Sequence, residues 1–103
     1  MSEKPLAIRT LKNRNGAVEY HLAFDSEWAG LDSFVRYLQQ YWQAEVSEAV
    51  DSIYSRRWVM RVDRVFISVC HDSQIGNFFV REDGVGDQAL LEKITADLIE
   101  RFV

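Results

Sequence analysis

Three apolar-alternating runs follow one another between residues 57 and 81, and the breaks between them are too short to hold a crossover. Trp58, Met60 and Val62 alternate with Arg57, Val59, Arg61 and Asp63; Val65, Ile67 and Val69 repeat the pattern; residues 76–81 carry Phe78 and Val80. A period of two is the mark of a strand with one buried face. The breaks are Asp63-Arg64 and Asp72-Ser73-Gln74. A parallel connection needs a dozen or more residues, so these strands pair antiparallel. Asp63-Arg64 is a two-residue turn without the glycine that such turns favour.

The flanking segments extend the pattern. Residues 6–11 form a short strand, and Lys12-Asn13-Arg14-Asn15-Gly16 ends on the Asn-Gly step of a hairpin. Val18, Tyr20, Leu22 and Phe24 alternate with Glu19, His21 and Ala23, giving a second strand. Asp25 and Ser26 offer capping oxygens to a helix over 26–43, where Trp28, Leu31, Phe34, Val35, Leu38 and Trp42 make one apolar stripe. Asp32, Arg36, Gln39 and Gln40 fall on its other side. Residues 44–56 fit both periods: Val46, Val50 and Ile53 suit a helix, while Val46, Glu48, Val50, Ser52 and Tyr54 suit a strand. Their β-branched content favours the strand. Glu82-Asp83-Gly84-Val85-Gly86 is a loop, and Asp87 caps a closing helix with Leu91, Ile94, Leu98 and Phe102 on one face, Leu90 and Ile99 beside them. The expected order is β-β-α-β-β-β-β-α. This is an α+β two-layer sandwich, a mainly antiparallel sheet with two helices packed on one face.

At 103 residues the chain makes a single domain, with residues 1–5 as a flexible tail. Sixteen acidic against twelve basic residues leave a net charge of −4, which disfavours nucleic acid and suits a basic protein partner. The strand order does not follow RNA-binding sheets, and Gly-Asp-Gln stands where double-stranded RNA binders carry lysines before the second helix. One cysteine permits no internal disulfide and no multi-cysteine zinc site. No apolar run approaches a membrane span and the first residues lack a secretory h-region, so the expectation is a cytoplasmic protein that does not engage a membrane.

The stretch that most resembles chemistry is Cys70-His71-Asp72. Neighbouring side chains of a strand point to opposite faces, so Cys70 belongs with Phe66 and Ser68, and His71 with Val69. That separates the apparent triad and leaves Asp72 to cap the amides of a turn. Gly84-Val85-Gly86 lacks the lysine, the third glycine and the parallel setting of a phosphate loop, and its acidic neighbours would repel phosphate. The expectation is therefore a chain that is not an enzyme, with no catalytic, cofactor or metal residue. Two features suit a protein partner instead. One is the acidic clusters, Glu45, Glu48 and Asp51 with Glu82, Asp83 and Asp87. The other is the sheet face opposite the helices. If the helices cover Tyr20, Trp58, Ile67 and Phe78, that face carries Glu19, His21, Arg57, Val59, Arg61, Phe66, Cys70, Phe79 and Arg81, a mixture of the kind enriched at interfaces.

The run DSIYSRRWVMRVDRVFISVCHDSQIGNFFV at 51–80, with the amphipathic closing helix, resembles the small immunity proteins of bacterial polymorphic-toxin and contact-dependent growth inhibition systems. The resemblance implies a non-catalytic cytoplasmic protein that binds and neutralises one toxin, a basic domain encoded by a neighbouring gene. The second reading is a homodimeric adaptor or secretion-chaperone-like protein that pairs through its open sheet face.

Overall fold

A computed structural model describes residues 8–22, 28–84 and 88–102, apart from the side chains of Trp28 and Phe102. The expected tail, the caps at Asp25, Ser26 and Asp87, and the Val85-Gly86 part of the glycine loop lie outside the described residues. Among these residues the elements run β1 (Ile8–Lys12), β2 (Val18–Leu22), α1 (Trp28–Trp42), β3 (Glu45–Asp51), β4 (Ser55–Val62), β5 (Val65–Asp72), β6 (Gly76–Arg81) and α2 (Ala89–Phe102). The strands form one sheet in the order β1-β2-β6-β5-β4-β3, every pairing antiparallel. The molecule is the expected α+β fold.

Local chemistry explains where the elements stop. At the β1–β2 hairpin the Asn13 side chain accepts the amides of Asn15 at 2.9 Å and Ala17 at 3.0 Å, while Gly16 takes a φ of 87° that a side chain would resist. Helix α1 ends at Gln43, which adopts a left-handed φ of 51°, and the amide of Ala44 closes back on the Leu38 carbonyl at 3.2 Å. The turn at Asp63-Arg64 does without glycine because Asp63 itself takes a φ of 56°, a conformation aspartate tolerates better than most residues.

The core lies between one sheet face and the two helices. Tyr20, Leu22, Met60, Val62, Ile67, Val69 and Phe79 meet Leu31, Phe34, Val35 and Leu38 of α1 and Leu91, Ile94 and Leu98 of α2. A polar tie joins the helices: Tyr37 donates to Asp97 at 2.6 Å, accepts from the Trp42 indole at 2.9 Å, and Arg101 holds the same carboxylate from one turn further on. These bonds hold the Asp97 carboxyl below the usual carboxylate range, Arg101 first and Tyr37 second.

Three expectations need correction. First, Phe79 rather than Phe78 faces the helices. Phe79 is fully buried, with ring centroids 5.2 Å from Tyr20 and 5.0 Å from Phe34, whereas Phe78 stacks on His21 across the sheet's other face. Phe78-Phe79-Val80 is apolar at both parities, so sequence periodicity cannot choose, and a slip of one residue inverts the strand. Arg81, two residues on from Phe79, moves with it to the helix side. Second, the segment 44–56 is a strand only to Asp51; residues 52–54 turn, and Ser55 already belongs to β4. Third, a bulge between Val46 and Glu48 breaks the alternation, so Val46 pairs with Met60 on the helix side while Val50 pairs with Arg57 on the other.

Candidate protein-binding face

Cross-strand register assembles the uncovered face of the sheet row by row. Arg9, His21, Phe78, Cys70, Arg57 and Val50 form one row across all six strands. The next holds Leu11, Glu19, Val80, Ser68, Val59 and Glu48. A third, shorter row sets Phe66 beside Arg61 and Glu45. No described helix lies on this face.

The face is organised around arginines held in place by carboxylates. Arg57 bonds Glu82 and stands 4.0 Å from Glu48; Arg61 bonds Glu45. Glu82 also accepts from the Ser68 hydroxyl, so its side chain reaches back over the sheet from beyond β6. Val59 and Ser68 are buried beneath these side chains although no helix is packed there. At the other side His21 donates from Nε2 to Glu19 at 2.9 Å and lies 4.8 Å from the Phe78 ring. Carboxylate–guanidinium pairing gives the arginines fixed geometry, which lowers the conformational entropy lost when a partner docks. Phe66, at 44% exposure, is the large aromatic that this frame presents to solvent.

The expected binding residues therefore divide. Arg57, Arg61, Phe66, Glu45, Glu48 and Glu82 share the uncovered face in two groups, Arg61 with Phe66 and Glu45, and Arg57 with Glu48 and Glu82, where the two acidic clusters meet. Asp51 turns to the helix side, where it accepts from Arg56 at 3.0 Å and the Trp58 indole at 2.9 Å. Arg81 and Asp83 bond each other at 2.8 Å apart from this group, and Phe79 is in the core. The acidic clusters are thus laced to arginines rather than bare. Sequence reading missed Glu82 as the residue that spans the sheet, because its role depends on which parity of β6 faces outward. It also missed Ile53, Tyr54 and Ile75, exposed at 85%, 71% and 62% in adjoining turns linked by the Ser73 amide and the Tyr54 carbonyl at 2.9 Å. Their signal was available: large apolar residues standing in turn positions.

Cys70, His71 and Asp72 separate as alternation requires. Cys70 is half-buried on the uncovered face; burial pushes its thiol up to about 11, Arg57 opposing and Glu19 and Glu82 adding to the rise. His71 is buried on the helix side with Nδ1 2.7 Å from the Asn77 amide oxygen. That oxygen only accepts, so Nδ1 carries the proton. Asp72 accepts the amides of Gln74 at 2.8 Å and Ile75 at 3.1 Å, a turn cap. Among the described residues no three His, Cys, Asp or Glu side chains gather as a metal site, and no helix is long and apolar enough to cross a membrane. Comparison with protein-family models, with curated proteins and with solved structures finds no match.

Proposed function

We propose that the chain is a non-catalytic protein-binding module, an immunity-type protein that neutralises a basic toxin domain by docking through its uncovered sheet face. The observation that carries this reading is the frame on the uncovered face: an exposed aromatic, Phe66, paired across the strands with Arg61, and Arg57 two rows further along, the arginines bonded by Glu45 and by Glu48 and Glu82 respectively. Aromatic and arginine anchors of this kind dominate binding energy at protein interfaces. The raised Cys70 thiol supports a binding role over nucleophilic catalysis, since a thiol kept protonated at neutral pH is a poor nucleophile. The resemblance over residues 51–80 adds the toxin as partner, and the net charge of −4 suits a basic one.

The experiment is protection. Cells expressing the toxin domain encoded beside this gene survive when the chain is co-expressed, and Phe66→Asp removes that protection while the variant stays folded. Equal protection by wild type and Phe66→Asp would refute the proposed face. Absence of protection by either, with the two proteins failing to co-purify, would refute the immunity role.

A further inference from the structure

The two edges of the sheet carry opposite charge. The β1 edge and its turn present Arg9, Lys12 and Arg14, none of them in an ion pair among the described residues, and the segment 8–18 contains no acid. The β3 edge presents Glu45, Glu48 and Asp51 and contains no base. Arginines of β4 do not cancel it, because among the described residues Arg56, Arg57 and Arg61 are shared among five carboxylates, those three with Asp32 and Glu82. Both edges are open: every residue of β3 is exposed, as are four of the five in β1.

Charged edge residues ordinarily block sheet-to-sheet pairing. Here they block only like edges. Two β3 edges would set acid against acid, and two β1 edges base against base. A β3 edge meeting a β1 edge is attractive, and the strand directions permit it. Five successive antiparallel pairings across six strands leave β1 and β3 running in opposite senses. A copy laid beside another in the same orientation therefore brings β3 against β1 antiparallel, continuing the sheet with the pairing it already uses.

We propose that this chain self-associates head to tail, the β3 edge of one copy adding to the β1 edge of the next. The regular stretch of β3 beyond the bulge, 48–51, sets the register. Val50 lies opposite Leu11, two apolar side chains exposed at 47% and 52% on the same uncovered face. Ala49 then lies opposite Lys12, which is diagonal to Asp51 on the helix side, within reach of a long side chain. Such an interface is heterologous and does not close at two copies. It leaves the Phe66 face open, so it stands or falls independently of the partner-binding reading.

The test is sedimentation of the purified chain over a range of concentrations, at low salt and at about 1 M, where the screening length shrinks to roughly 3 Å. Association rises with concentration beyond the dimer and is lost at high salt. Glu48→Lys/Asp51→Lys makes both edges basic and is monomeric; Arg9→Glu/Lys12→Glu makes both acidic and is monomeric; mixing the two restores association. A second measurement leaves the edge charges intact. In a Cys70→Ser background, Leu11→Cys and Val50→Cys chains form a disulfide with each other on oxidation, and neither forms one alone. A monomer at every concentration, association that stops at two copies, indifference to charge reversal, or cross-links between identical variants would each overturn the proposal.

Discussion

Replacing Phe79 by alanine tests the sheet's register more sharply than any change at the surface. The ring is fully buried and stacked between Tyr20 and Phe34, with centroids 5.2 and 5.0 Å away. Truncation forfeits the transfer energy of the ring and leaves a cavity walled by three elements, a combination that costs about 3–5 kcal/mol. The two lost aromatic pairs, about 0.5–1.5 kcal/mol each, place the cost in the upper part of that range. Phe78, its neighbour, is half-buried on the open face against His21, where solvent fills the space left behind. Phe78→Ala should therefore cost only about 1 kcal/mol. Against a total stability of about 5–15 kcal/mol, the first change removes a large fraction and the second a small one. Urea denaturation followed by tryptophan fluorescence and circular dichroism measures both. If Phe78→Ala costs as much as Phe79→Ala, β6 is one residue out of register, and the outward placement of Glu82 fails with it.

Other consequences are checked as directly. Gln43→Gly should stabilise the chain by about 0.5–1 kcal/mol in thermal melting, because glycine enters the left-handed φ of 51° without strain. Asp97 is held below its ordinary value, so its contribution is fully present above about pH 4–5 and is lost as pH falls through the depressed folded value. The stability gap between wild type and Asp97→Asn should accordingly be constant near neutrality and close in acid, as measured by denaturation at a series of pH values. The Cys70 thiol should react with iodoacetamide slowly at neutral pH, accelerating only as pH nears about 11, and unfolding should restore an ordinary thiol's rate.

What the sequence made legible and what it hid both follow from periodicity. Over residues 57–69 Arg57, Arg61 and Ser68 mark one parity as outward despite Val59 and Phe66 between them, so β4 and β5 and their facing were readable. The stripes of both helices were readable for the same reason. At Phe78-Phe79-Val80 the alternation vanishes, and with it the ability to say which ring is core. The bulge beside Ser47 leaves no mark in composition, yet it moves Val50 to the opposite face from Val46. Long-range pairing was hidden most completely. That Glu82 spans to Arg57 and Ser68, that Asp51 serves Arg56 and Trp58, and that His71 meets Asn77 depend on strands brought together by the whole sheet. The candidate face was thus visible as a set of residue types, but its membership was fixed by register.

The proposed binding role is tested most directly by calorimetric titration of the chain with the basic toxin domain that this role requires as its partner. The expected result is a one-to-one complex that Phe66→Asp weakens by at least about thirtyfold, the loss of one hot-spot anchor. Asp97→Asn, on the helix layer, should leave the affinity unchanged. Heat of binding that is absent, or that is the same for wild type and Phe66→Asp, would contradict it.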